Sequence, residues 1–215
     1  EVCKDPIEPD RLIADPLARL CLDHLTSSEQ RALEADLELA ARIQMGLLPP
    51  SSLTHGGWEV AYHYEPLGPV SGDYIDLLPQ ADGRLFFALG DASGKGVAAS
   101  MLMAQLNAMF RTLIAVNLPL DQMLAQASRV FCESTLPTHY ATLICGWANL
   151  TGEIEFCNAG HPPPVLVRRE GAGEVKGAGL PIGLFCQESF PLTCLRLGPG
   201  ESLLLYSDGL SEAGD

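Results

Sequence analysis

The spacing of apolar positions changes three times along this chain, and each change predicts a different element. From Ser27 the spacing is helical: Leu33, Leu37, Ala40, Gln44 and Leu47 recur at alternating steps of four and three until Pro49-Pro50 stops the pattern. Ser27 and Gln30 suit a capping box that starts this helix. A seam of this kind has two readings. It is a short heptad stripe, interrupted by a glutamine, through which the helix dimerises or passes a signal, or it is one face of an amphipathic helix lying on its own domain. From Gly57 the pattern is that of strands: Trp58 to Tyr64, Tyr74 to Leu78 and Arg84 to Leu89, with Asp82-Gly83 as a hairpin turn. Val97 to Val116, rich in Ala, Leu and Met, predicts a helix buried on more than one side, and Leu120 to Ser134 predicts an amphipathic one. Strand patterns return at Tyr140 to Ala148, Ile154 to Cys157, Pro164 to Val167, Leu192 to Leu197 and Ser202 to Tyr206. Strands, two central helices and strands again predict an α+β layered fold. Without a parallel βαβ alternation, a doubly wound sheet is excluded.

Residues 1–26 carry prolines among mixed charges and read as a linker or the tail of an upstream domain. The first residue is Glu, so the sequence is expected to be a piece of a longer protein. With 47% apolar residues the chain can bury a core, and apolar runs such as Leu203 to Tyr206 are too short to span a bilayer, so no membrane insertion is expected. The net charge of −14 excludes nucleic acid as the main partner, since phosphate neutralisation needs a basic face. The seven cysteines show no C-x-x-C pair and stand mostly among apolar residues. They predict buried free thiols in a reducing cytoplasm, not a disulfide framework or a zinc site.

Three aspartates stand where predicted strands meet glycines: Asp73 in Ser71-Gly72-Asp73-Tyr74-Ile75-Asp76, Asp91 in Gly90-Asp91-Ala92-Ser93-Gly94-Lys95-Gly96, and Asp208 in Tyr206-Ser207-Asp208-Gly209. Carboxylates gathered at a sheet end repel one another and lose solvation unless cations join them, and oxygen ligands on glycine-rich backbone suit Mg²⁺ or Mn²⁺. Each aspartate alone is equally well a turn residue. The Gly90 to Gly96 run is not a nucleotide-binding P-loop, because Gly96 follows Lys95 where Ser or Thr is required. Its spacing alone does not choose between an anion and a cation. Lys95 is a candidate phosphate contact or a solvated turn residue.

In order, the segments Ala41-Arg42-Ile43-Gln44 with Leu47-Leu48-Pro49, Gly68 to Asp76, Gly90 to Ala99, Asn158-Ala159-Gly160-His161-Pro162-Pro163, Gly179 to Gly183 and Leu204 to Ala213 resemble the PPM-type metal-dependent serine/threonine phosphatases. The branch they resemble is the bacterial sporulation-protein-E-like (SpoIIE-like, RsbU-like) one, and the resemblance runs from about Leu37 to the end. It implies an αββα sandwich of two antiparallel sheets flanked by helices and preceded by a linker helix. The implied division is 1–26 linker, 27–50 N-terminal helix and 51–215 phosphatase domain. It implies two Mn²⁺ or Mg²⁺ ions between the sheets, with Asp91 bridging them, the Ala92 carbonyl a further ligand, Asp73 on the second metal and Asp208 on the first. It implies hydrolysis of phosphoserine or phosphothreonine on a protein, typically a small antagonist of an anti-sigma factor. A phosphatase-like docking module without turnover is the alternative. The Asn158 to Pro163 segment is a branch signature, with His161 read as structural. The pattern ordinarily continues into a strand bearing a last metal-binding aspartate, which these residues do not reach. The expectation is therefore a C-terminally truncated domain.

Overall fold

The computed structural model describes Ile7, Leu12, Cys21 and residues 26–211, with the side chain of Ser211 excepted. The predicted linker of residues 1–26 thus lies almost wholly outside the described residues, as do Glu212 to Asp215 at the end of the last motif.

Helix α1 (Ser27–Leu47) is capped by Thr26, one residue before the predicted cap. The Thr26 hydroxyl accepts from the Glu29 N–H at 3.3 Å, and the Glu29 carboxylate accepts from the Thr26 N–H at 2.8 Å. Thr26 and Glu29 therefore form the reciprocal box expected of Ser27 and Gln30, because the carboxylate also complements the positive end of the helix. Among the described residues ten strands follow in three antiparallel sheets. β1 (Ser52–His55) pairs with β2 (Trp58–Ala61). A five-stranded sheet has the order β3 (Asp73–Pro79), β4 (Leu85–Ala92), β5 (Ala141–Ala148), β6 (Glu153–Ala159), β9 (Leu192–Arg196). A three-stranded sheet has the order β10 (Ser202–Leu204), β7 (Val165–Arg168), β8 (Gly171–Glu174). Pattern reading missed β1 and β8, which are four residues each and lie at sheet edges, where apolar alternation is weak.

Alternation along the central strands sorts their side chains into two cores. Tyr74, Phe86, Ala88, Leu143 and Cys145 face helices α2 (Gly96–Val116) and α3 (Leu120–Ser134), where they meet Met103, Leu106, Phe110 and Phe131. Leu77, Leu85, Phe87, Ile144 and Phe156 face the other way, toward Trp58 and Val60 of the hairpin and Leu166 and Leu203 of the smaller sheet. The layers are helix, sheet, sheet. Among the described residues no long helix covers the outer face of the smaller sheet.

Three expectations need correction. The strand begun at Trp58 ends at Ala61. By length and composition α2 is apolar enough to cross a membrane, contrary to the reading of short runs only. Its apolar face is instead taken up by the sheet, with Ala99, Leu102, Met103, Leu106 and Phe110 buried. The cysteines are not all thiols: Cys132 and Cys186 form a disulfide, while Cys145 and Cys157 are buried as predicted.

The heptad seam is only half engaged. Gln44 is buried and Leu37, Ala40 and Leu47 are partly so, but Leu33 stays 40% exposed, and Ile43 on a neighbouring face is 59% exposed. The C-terminal half of α1 packs against α2, as an amphipathic helix on its own domain would, while its N-terminal half extends past the core.

Candidate metal centre

Strand register lines up the predicted ligands before any side chain is considered. Asp73 on β3 lies opposite Asp91 on β4, and Asp91 lies opposite Thr142 on β5. By alternation these three share the face of Phe87 and Ile144, the one turned toward the smaller sheet. Asp208 arrives from that other side, at the start of a short helix α4 (Asp208–Ser211) just after β10. Asp91 and Asp208 line one cleft of about 430 Å³ with Thr142, Gly160, His161, Pro162 and Pro163. The register sets Asp73 against Asp91 and the cleft sets Asp91 beside Asp208, although Asp73 and Asp208 lie 135 residues apart in the chain (208 − 73).

Asp91 and Asp73 both have raised pKa values, as crowded carboxylates do. Burial pushes the Asp91 carboxyl up to about 6, and the charges of Asp73 and Asp208 push in the same direction. Burial also raises Asp73, Asp208 adds to that, and hydrogen bonds from Ser71 and Ser207 pull it partly back. The described residues contain no Lys or Arg ion pair to Asp73 or Asp91. Lys95 precedes α2 as an exposed residue, as a solvated turn residue would.

The backbone around these carboxylates is shaped to leave room. A Cβ on Gly72 would lie 2.6 Å from the Ala92 carbonyl oxygen and 3.1 Å from Asp91 Oδ1. Both predicted ligand atoms thus turn into the space left by a missing side chain. The Ala92 N–H donates to the Gly72 carbonyl at 3.1 Å, which ties the two loops together. Among the described residues no three His, Cys, Asp or Glu side chains stand close enough to enclose an ion by themselves. Carboxylates supplemented by a carbonyl and by water are what Mg²⁺ and Mn²⁺ accept, so the donor set fits such ions.

Sequence reasoning missed the residues that hold this site in place. The buried Gln44 amide brackets the Ser71 backbone: its Nε2 donates to the Ser71 carbonyl at 2.6 Å, and its Oε1 accepts from the Ser71 N–H at 2.9 Å. Ser71 in turn donates from its hydroxyl to Asp73 Oδ2 at 2.8 Å and accepts from the Asp73 N–H at 3.0 Å. A continuous hydrogen-bonded path runs from α1 to Asp73. The signal was present as a glutamine at an apolar seam position, which asks for a buried polar partner.

His161 is likewise more than a loop residue. It is buried, and both ends of the Asn158 amide bind its backbone, donating to its carbonyl at 3.0 Å and accepting from its N–H at 2.8 Å. Its Nδ1 pairs with the Thr142 hydroxyl at 2.9 Å. Burial lowers its pKa to about 4, opposed by the Tyr206 carbonyl and the Asp208 charge. Its Nε2 makes no hydrogen bond of good geometry, despite the nearness of Tyr206. His161 is thus a neutral, rigid wall of the cleft.

Comparison with known proteins follows the same outline. The sequence profile of the stage II sporulation protein E (SpoIIE) family matches residues 81–215. Phosphoserine phosphatase RsbU of Bacillus subtilis (strain 168) is 22% identical over 186 residues, 85% of this chain and 55% of that protein. Protein IcfG of Synechocystis sp. is 27% identical over 207 residues, 83% of this chain and 33% of its own length. The chain therefore spans between a third and about half of these relatives. Among solved structures, the SiaA-PP2C domain of Pseudomonas aeruginosa superposes with a TM-score of 0.68 at 21% identity, covering 86% of this chain and 75% of that one. That likeness shows the α+β fold of antiparallel sheets and helices.

Proposed function

The chain belongs to the SpoIIE family, and from that premise we propose that it hydrolyses phosphoserine or phosphothreonine on a protein partner, using two Mn²⁺ or Mg²⁺ ions. The observation that carries the reading is that Asp73 faces Asp91 across the ladder, Asp91 and Asp208 line one cleft, and both neighbouring charges push the Asp91 carboxyl up. Asp91 would bridge the ions, the Ala92 carbonyl would add a ligand, and Asp73 and Asp208 would hold one ion each. Such ions, when bound, supply an acidified water and positive charge for the phosphoryl oxygens.

The chain's own residues set the geometry. Ser71, itself gripped by Gln44, fixes the Asp73 carboxylate. His161 and Thr142, with Pro162 and Pro163, form a wall that restricts water and limits what enters. No side chain is asked to act as nucleophile. The Cys145 and Cys157 thiols lie in the core, and burial raises both, Cys157 to about 12, so neither forms a thiolate at neutral pH.

The partner is proposed to be a small phosphoprotein that antagonises an anti-sigma factor, met in the cytoplasm. RsbU, a relative, is by name a phosphoserine phosphatase. A docking module without turnover is the second reading, favoured by the absence of a closed three-side-chain cage among the described residues. The test is Mn²⁺-dependent release of phosphate from a phosphoserine protein by the natural protein and by its Asp91→Asn variant. Activity lost in a folded variant supports the phosphatase. No turnover by the wild type at any Mn²⁺ concentration, with metal still bound, supports the docking module.

A further inference from the structure

Four of the described cysteines make two contrasting pairs. Cys145 and Cys157 are register partners on adjacent strands, buried, with raised pKa values that keep them as inert thiols. Cys132 and Cys186 are bonded at the surface, with Cys186 exposed and Cys132 partly so, and a Cα–Cα distance of 5.5 Å that suits the bond. Exposed disulfides are the ones that reductants and thiols reach.

What this bond fastens matters. Cys132 ends the apolar run of α3, and Cys186 lies in residues 175–191, which have no strand of their own beyond two isolated bridges. This segment braces the cleft from behind. Ile182 exchanges both backbone hydrogen bonds with Ala141, the register partner of Ala92. Pro181 packs so closely on cleft-lining Gly160 that a Cβ there would meet it at 2.6 Å. Beyond Gly183, which sits tightly on Phe131, residues 184–189 are tied down chiefly by the disulfide.

We propose that Cys132 and Cys186 form a reversible thiol–disulfide site that fastens the segment bracing the cleft. Its co-reactant is a low-molecular-weight disulfide. In the oxidising direction the Cys186 thiolate attacks one sulfur of that disulfide and expels the first small thiol. The Cys132 thiolate then attacks Cys186 Sγ and expels the second. Two protein thiols are oxidised, the small disulfide gains two electrons, and the two protons leave with the small thiols or the solvent. This chemistry is independent of the reaction carried out in the cleft.

The experiment equilibrates the chain in reduced and oxidised glutathione at graded ratios, traps thiols with N-ethylmaleimide in urea, and maps them by mass spectrometry. Hydrogen exchange is followed on parallel samples. Cys132 and Cys186 should pass together from labelled to bonded as the ratio becomes oxidising, while Cys145 and Cys157 stay labelled throughout. Amides of residues 184–189 should exchange at least about tenfold faster in the reduced form. The Cys186→Ser variant should match the reduced form at every ratio, and it should fold because the site is exposed. The proposal is overturned if Cys132 and Cys186 remain thiols at all ratios. It is equally overturned if Cys186 stops as a glutathione adduct, or if exchange in 184–189 ignores the redox state.

Discussion

Two carboxylates on β3, three residues apart, show how one strand can carry opposite kinds of charge. Asp76 points toward the helices and Asp73 toward the smaller sheet, because three steps along a strand change the face. Asp76 is fully buried and paired. Arg111 on α2 grips both of its oxygens at 2.9 and 3.1 Å, and the Leu77 N–H adds a third bond at 3.0 Å. Burial raises its pKa and Arg111 pulls against that. Asp73 has instead a second aspartate across the ladder and a third nearby, with only serine hydroxyls to help. The helix-side charge is completed from within the chain and serves to anchor α2. Asp73 and Asp91 on the inter-sheet side have no such cation among the described residues, which is costly in the free protein.

The largest expected effect falls on the incomplete side. Asp91→Asn should lower Mn²⁺-dependent phosphate release by about a thousandfold, the scale of losing several kcal/mol of metal-centred stabilisation. In metal-free buffer at pH 7 the same variant should melt higher, by about 1–2 kcal/mol of stability once solvent screening discounts the shift, because it removes one of three repelling charges. A variant that loses activity by unfolding would show the opposite melting change. On the completed side, Arg111→Met should destabilise the chain by about 2–3 kcal/mol, less than a fully buried pair because the guanidinium is half exposed. Denaturant titration measures it, and a loss below about 0.5 kcal/mol would mean that the pair is not an anchor.

The pH dependence sharpens the contrast. Asp91 has a folded pKa near 6, above its ordinary value, so between about pH 4 and 6 the folded state binds more protons than the unfolded state. Its contribution therefore falls as pH rises through that window. His161 is held near 4, below its ordinary value, so the unfolded state binds more protons between about pH 4 and 6.5 and its contribution rises with pH. The two slopes oppose each other in the metal-free protein. Relative to wild type, Asp91→Asn should tilt stability upward with pH across this window and His161→Gln should tilt it downward, as read from melting temperatures at graded pH. Parallel profiles for all three proteins would remove both groups from the account. The smallest effect belongs to Gln44→Ala, which leaves the Ser71 N–H and carbonyl without partners. It should cost about 1–2 kcal/mol and weaken Mn²⁺ binding several-fold through Asp73. Unchanged metal affinity would make the Gln44 contact structural alone.

Much of this contrast could be read from the residues. The apolar spacing placed both central helices and most strands of the large sheet, because β3 to β6 alternate between two buried faces and α2 and α3 present wide apolar stripes. The three aspartates were legible as strand-end residues beside glycines, and their order in the chain as a family resemblance. The partners were not. Nothing in the spacing ties Gln44 to Ser71, Thr142 to His161 or Asp76 to Arg111, since these pairs meet only through tertiary packing 19 to 35 residues apart. The cysteine reading failed at one pair for the same reason: Cys132 and Cys186 are 54 residues apart, and only the return of the segment over α3 brings them together.

The central claim is that the inter-sheet aspartates are completed by cations, and the most direct measurement is Mn²⁺ titration of the chain followed by the paramagnetic resonance signal of the free ion. Wild type should remove Mn²⁺ from solution, and Asp91→Asn should do so at least about tenfold more weakly, while Arg111→Met, still folded, should bind as wild type does. Equal Mn²⁺ binding by wild type and Asp91→Asn would contradict the assignment of this cleft as the metal centre.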